Sequence, residues 1–331
     1  MNFYKKTIFI VSALIILASF AGCAPKGTAN TPKATTTVAK VENPKVINIS
    51  YVKAPLNVPS IIEKKKQLFE NEFSKDNINI KYPEITEGSK MTEALASGSL
   101  DFCNAIGATS VILAGANGVD IKIIGIYSRA PKAFTIMVKD PAIKTIADLK
   151  GKKVVGPKGT ILHQLLLGAL AKDNLKASDV QFSNMAIPAS VSALLAGKVD
   201  AALVAGPSVA NAQKNGARIL TTGEGILDAT IVIAASGKFL EKYPDIAKRY
   251  LAVHEKSLQF MKDNGDETYQ ITADETKLTL DQVKGMYGLY DFSPEITEKD
   301  ISELTKTQDF LKQNGMLTKT VDIKSLLANL K

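Results

Sequence analysis

Two stretches of this chain, ALASGSLDF from Ala94 to Phe102 and ALLAGKVDA from Ala193 to Ala201, share Ala-Leu, then Gly, then an apolar residue and Asp at identical offsets. Self-similarity of this kind marks a chain built from two copies of one unit. Each stretch reads as a helix stopped by a glycine, Gly98 or Gly197, where the chain needs a left-handed backbone, followed by Asp at the start of a short apolar strand. Those strands, Phe102 to Ile106 and Ala201 to Ala205, show no polar alternation beyond Asn104, as expected of strands covered on both faces.

The likeness extends upstream. Val46 to Val52 reads as a strand and Ile61 to Glu70 as a helix; Lys152 to Gly156 and Ile161 to Ala171 take those parts in the second copy. Second strands follow at Ile78 to Lys81 and Val180 to Phe182, then a loop and the helix that reaches Gly98 or Gly197. The order strand, helix, strand, helix, strand predicts an α/β fold, each half a mainly parallel sheet with right-handed crossovers. Ligands of such sheets sit beyond the carboxyl ends of the strands, where loops lead into helices. Small residues gather there: Ala54, Pro55 and Leu56, Gly88 and Ser89, and Gly107, Ala108 and Thr109 in the first half. The second half offers Lys158, Gly159 and Thr160, then Pro188, then Gly206 and Ser208.

With 331 residues, 45% of them hydrophobic, the chain is long enough for two domains. Its formal charge of +8 is concentrated at the N-terminal end; from Val46 onward 35 basic residues face 32 acidic ones. A nearly neutral body without tryptophan argues against nucleic-acid binding. Lys5 and Lys6 precede an apolar run from Thr7 to Phe20, which suits a signal-peptide core better than a membrane-crossing helix. The run ends Phe20-Ala21-Gly22-Cys23, which resembles the lipobox of bacterial lipoproteins, with Phe20 where Leu is usual. That resemblance implies cleavage after residue 22 and lipidation of Cys23. Residues 23–45, rich in Thr, Ala, Pro and Lys, read as a solvated tether. Cys103, the other cysteine, sits in an apolar strand and reads as a buried structural thiol.

Ala133 to Lys139 and Ala229 to Ala235 are extended apolar segments that follow the two halves and look like paired crossovers between lobes. Beyond Ser236 the pattern is helical: Gly237 to Asn264, Asp266 to Lys277, Thr279 to Tyr287 and Asp300 to Asn314, the last with Thr297 as a cap, all expected to cover the first lobe. The stretches LASGSLDF, VKDPAIKTIADLKGKKVVGPKGT (Val138 to Thr160) and LLAGKVDAALVAGP, with NGARIL after them, resemble solute-binding proteins of ABC importers in the nitrate, sulfonate and taurine group, which includes thiamine-precursor-binding members. The resemblance covers most of Val46 to about Leu220. It implies a two-lobed periplasmic-binding-protein-like (type II) fold with a two-strand hinge, closing over a small solute. The expected division is a signal peptide over 1–22, the tether, a first lobe from 46–135 and 233–331, and a second from 136–232.

Helix-start amides at Gly159 and Thr160 can hold an anionic oxygen without a formal charge, with the Thr160 hydroxyl as a further donor. The resemblance gives Lys158, Gly159 and Thr160 a share in binding the ligand's anionic group. Arg129, the first arginine of the chain, reads either as a bidentate contact for a sulfonate or carboxylate or as a solvated loop residue. His163, one turn into its helix, reads as facing the cleft or as structural, and His254 as belonging to an outward helix. Many relatives carry an aromatic residue near the position of Ala205-Gly206-Pro207; its absence here points to a small or aliphatic ligand, with Tyr51 and Tyr127 as candidate apolar walls. No nucleophile-and-base pair and no metal-ligand spacing is legible, so neither an enzyme nor a cofactor is expected. A transcription regulator of the same fold would need a helix-turn-helix in place of an export signal. The reading is a monomeric, lipid-anchored, extracytoplasmic solute receptor that delivers a small anionic solute, sulfonate-, nitrate- or taurine-like, to an ABC permease. A receptor for a thiamine-precursor-like or other neutral solute, and a surface lipoprotein with no transport role, are the alternatives.

Overall fold

The structure, a computed structural model, describes residues 42–330 apart from 55 and 329. Cys23, the signal segment, the tether as far as residue 41 and Pro55 lie outside the described residues. In chain order the elements are β1 (Val46–Asn48), α1 (Val58–Lys65), α2 (Leu68–Phe73), β2 (Asn79–Lys81), α3 (Gly88–Ala96), β3 (Phe102–Gly107), α4 (Ala108–Ala116) and β4 (Lys122–Arg129). The chain continues with β5 (Phe134–Val138), β6 (Lys153–Gly156), α5 (Ile161–Lys172), β7 (Gln181–Asn184), α6 (Ile187–Leu195), β8 (Ala201–Ala205), α7 (Pro207–Lys214) and β9 (Arg218–Thr222). It ends with β10 (Thr230–Ala235), α8 (Gly237–Lys242), α9 (Pro244–Asp263), α10 (Gly265–Thr276), α11 (Leu280–Tyr287) and α12 (Glu298–Gln313).

The second lobe is built on one sheet in the order β7-β6-β8-β5-β9, with β5 antiparallel to both neighbours and β6 parallel to both of its own. In the first lobe β10 runs antiparallel between β3 and β4, while β1 and β2 form a parallel pair joined to β3 by a parallel bridge from Ile49 to Phe102. The orders β2-β1-β3-β10-β4 and β7-β6-β8-β5-β9 are therefore equivalent, and in each four strands run one way. The two apolar crossover segments join different sheets, β5 that of the second lobe and β10 that of the first. Each half passes its final strand to the sheet of the other, so the chain crosses between lobes at 130–133 and again at 223–229.

The repeated Gly and Asp carry out the same tasks in both copies. Gly98 and Gly197 have φ of +74° and +67°, and a Cβ on either would meet open space, so their role is purely conformational. The Asp101 carboxylate accepts the backbone N–H of Asn48 at 2.7 Å, and Asp200 accepts that of Lys153 at 2.7 Å. Each aspartate's own N–H donates to the carbonyl of the same residue, at 2.9 Å in both cases. The motif thus stitches β3 to the end of β1 and β8 to the start of β6.

Two expected helices are broken. The first is interrupted at Gln67, which is left-handed, and the long C-terminal helix breaks at Tyr243, because Pro244 has no N–H for the preceding turn. The C-terminal helices return to the first lobe, α9 and α10 on α1 and α12 on α4. His254 does not face outward as its helix suggested. It is buried, with Nδ1 2.7 Å from Glu63 Oε1, because the apolar face of α9 packs over α1. Cys103 is fully buried, which pushes its thiol up to about 12. No helix among the described residues is long and apolar enough to cross a membrane.

Candidate functional site

A cavity of about 240 Å³ lies between the lobes where strands end and helices begin. From the first lobe come Val52 and Ala54, the α3 start with Glu87, Gly88 and Met91, the end of β3 with Ala105, Ile106 and Gly107, then Ser110 and Ile231. The second lobe supplies Phe134, Pro157, Thr160, Ile161 and Leu162, with Ala186, Ile187 and Pro188 at α6 and Ala205 and Ser208 about α7. The walls are mainly aliphatic. Among the lining residues no side chain is cationic, and Glu87 is the one charged group.

Five helices begin at this cavity, α3 to α7, and none has a side-chain cap. Of the helices that start elsewhere, α8, α11 and α12 are capped by Ser236, Thr279 and Thr297, while α1, α2, α9 and α10 also lack a side-chain cap. First-turn amides have no partner inside a helix, so an uncapped start leaves donors and the positive end of the helix dipole for a guest. Proline in the first turns of α6 and α7 removes a donor from each; α3, α4 and α5 keep all of theirs.

Ala54, Gly88, Gly107, Thr160, Pro188 and Ser208 are brought together at the cavity wall. The other candidates among the described residues lie off it. Leu56 is fully buried in the core, and Ser89 is exposed, its carbonyl accepting the Thr92 hydroxyl. Ala108 and Thr109 face a smaller polar crevice beside α12. There Thr109 donates to Gln164 Oε1 at 2.6 Å, and Gln164 Nε2 donates to Thr307 at 3.0 Å, so one glutamine of the second lobe holds two helices of the first. Gly206 takes a left-handed φ of +65° before α7 without lining the cavity.

In the 158–160 loop the expected donors are partly spent. The Lys158 N–H donates to Asn184 Oδ1 at 2.8 Å while its side chain is exposed, and the Gly159 N–H donates to His163 Nδ1 at 3.3 Å. Thr160 lines the cavity, but its hydroxyl donates to the Pro157 carbonyl at 2.9 Å and must rotate to serve a guest as donor. His163 is buried and stacked on Phe182 at 4.5 Å, away from the cavity. Burial, aided by the Lys158 charge, lowers it to about 4, so it is a neutral acceptor. Arg129 is neither a loop residue in water nor a wall of the cavity. It forks onto Asp300, Nε to Oδ1 and Nη2 to Oδ2, both at 2.7 Å.

Tyr51 and Tyr127 are not walls either; their hydroxyls are engaged with Glu275 and Ser60, and Phe134 is the aromatic residue that lines the site. Ser110 was not foreseen. It lies one turn into α4, donates to the Gly159 carbonyl at 3.0 Å, and explains Gly88, whose Cβ would stand 2.3 Å from its Oγ.

Residues 62–268 match the family described as NMT1/THI5 like. The chain belongs to that family. A relative named "Putative aliphatic sulfonates-binding protein" in Bacillus subtilis is 30% identical to this NMT1/THI5-like protein, over 98% of this chain and 95% of its own. The taurine-binding periplasmic protein of Escherichia coli is 29% identical over 55% of this chain and 57% of its own. Among solved structures, the alkanesulfonate-binding protein SsuA from Xanthomonas axonopodis pv. citri bound to MOPS is 26% identical, with a TM-score of 0.79 over 86% of this chain and 98% of that one. The product of the Candida albicans CA3427 gene, described as having the generic periplasmic binding protein fold, shares that fold at a TM-score of 0.68, covering 84% of this chain and 92% of its own, with 16% identity.

Proposed function

We propose that this protein captures a small organic anion of the sulfonate class between its two lobes, outside the cytoplasmic membrane, and presents it to the permease of an ABC importer. The observation that carries this reading is the ring of uncapped helix starts around a cavity whose walls are aliphatic and hold no cation. Amides and hydroxyls complement a charge-delocalised oxyanion, and the apolar walls accept an alkyl chain, which nitrate does not have. Ala54, Gly88, Gly107, Thr160, Pro188, Ser110 and Ser208 are the contacts we assign to the ligand. The names of the relatives support the class of solute, and the two crossings at 130–133 and 223–229 are the natural hinge for closure.

Calorimetry with butane-1-sulfonate tests the assignment. Binding is expected, and Thr160→Trp is expected to weaken it at least tenfold, more than 1.4 kcal/mol, with the apo melting temperature nearly unchanged. Equal losses of stability and affinity would reduce Thr160 to a structural helix start, and no binding by the wild type to any of butane-1-sulfonate, taurine or nitrate would remove the anion reading.

Anchoring through a diacylglyceryl group on Cys23 completes the proposal, since its two acyl chains and a tether keep the body beside its permease without spanning the membrane. Cys23→Ser should move the protein from the membrane fraction to the soluble one. Unaltered retention refutes lipidation.

A further inference from the structure

Ala105 stands at the cavity wall with φ of +62°, in the left-handed region that an L side chain rarely adopts. The strand pairing shows why the chain is bent there: Ile106 lies opposite Val232 and Cys103 opposite Ala234, so Asn104 and Ala105 together face the single residue Ile233. This is a β-bulge in the strand whose last residues form part of the binding wall.

The bulge is held from behind by a buried polar network. The Asn104 N–H donates to Ser50 Oγ at 2.8 Å, and the same hydroxyl donates to the Asn104 carbonyl at 3.0 Å, so Ser50 takes over both main-chain groups. The Asn104 carboxamide donates to Glu63 Oε2 at 2.8 Å and to Ser60 Oγ at 3.1 Å. Glu63 in turn is fixed through Oε1 by His254 at 2.7 Å and Ser257 at 3.4 Å. All six residues are at most 2% exposed, and none lines the cavity. A core assembled for stability alone has no use for a carboxylate, an imidazole and a carboxamide locked together, and here the network ends on the one strained residue of the binding wall.

We infer that Glu63 and Asn104 are positioning residues for the solute site: anchored by His254, they hold the Asn104–Ala105 bulge, which sets where Ala105, Ile106 and Gly107 meet the ligand. The inference rests on the reading of the cavity as a solute site, and it adds to it residues that touch no ligand.

A double-mutant cycle tests it. Asn104→Ala should lower affinity for butane-1-sulfonate roughly tenfold, as loss of a buried positioning contact does. Adding Ala105→Gly to that variant should recover most of the loss, because glycine takes the left-handed conformation without being held. Absence of rescue, or an Asn104→Ala protein that binds like the wild type, overturns the proposal. Amide hydrogen exchange at Ile106 and Gly107 reads the bulge without any ligand. It should accelerate in Asn104→Ala and slow again in the double variant, and unchanged exchange in the single variant overturns the proposal even if the sulfonate fails to bind the wild type. Should Asn104→Ala not fold, Ser50→Ala releases the same main-chain groups and enters the same cycle, with the same two outcomes deciding.

Discussion

Arg129→Met is expected to destabilise the protein by about 3 kcal/mol, the cost of removing one partner from a buried ion pair, and to leave affinity for the solute little changed. The guanidinium does more than neutralise Asp300. It also donates to the carbonyls of Ser293 and Glu295, both at 3.0 Å, while the Arg129 and Asp291 main chains exchange hydrogen bonds at 2.8 and 2.9 Å. One side chain thereby fastens the end of β4 to the segment that leads into α12. Asp300 is 2% exposed, and methionine would leave its carboxylate with only Thr297, whose amide and hydroxyl donate to it at 2.8 and 2.6 Å. Burial by itself raises that carboxyl, but the Arg129 and Thr297 hydrogen bonds prevail and hold it at about 2. A depressed acid contributes stability above its ordinary value near 3.8, and that contribution is lost as pH falls towards 2. Without Arg129 the carboxyl titrates at higher pH, so acid unfolding should begin earlier in the variant. Thermal melting should fall by roughly 5–10 °C at neutral pH. A ligand-contacting arginine behaves in the opposite way, losing affinity at constant melting temperature, and that result would return Arg129 to the binding site.

Local pattern carried most of the architecture. The Gly and Asp offsets revealed two copies, and the strand-end loops of those copies do surround the cavity. What stayed hidden depends on long-range pairing or on helical phase. Nothing in the apolar runs of β5 and β10 says which sheet they join, because an apolar strand is equally at home in either. At the α4 start the turn was legible but the inward residue was not: Thr109 and Ser110 are about 100° apart around the helix, so one faces Gln164 and the other the solute cavity. Arg129 and Asp300 are 171 positions apart, and Glu63 and His254 are 191 apart. No window of sequence shows such partners, so in sequence alone charges with buried mates look like ligand contacts or surface.

His163 makes stability fall as the medium is acidified through mildly acidic pH. Its ring is 6% exposed, pressed against Phe182, and burial together with the Lys158 charge lowers it from 6.5 to about 4. Between those values the unfolded chain binds a proton that the folded protein refuses. Stability from this group is therefore complete above about pH 6.5, declines as pH drops, and is exhausted below about 4. The span amounts to about 3 kcal/mol, at 1.36 kcal/mol for each pH unit. Protonation also removes the lone pair on Nδ1 that accepts the Gly159 N–H, which frees the turn from which Thr160 reaches the cavity. Solute affinity should consequently hold through that interval and weaken only as pH approaches about 4, where the folded protein itself takes up the proton. His163→Gln keeps a neutral acceptor at every pH, so its urea-unfolding free energy should vary less between pH 7 and 4.5 than that of the wild type, even though it is less stable at pH 7 for want of the stacked ring. If the two proteins lose stability in parallel across that range, the proton is being taken up elsewhere, and His163 has no part in the acid response.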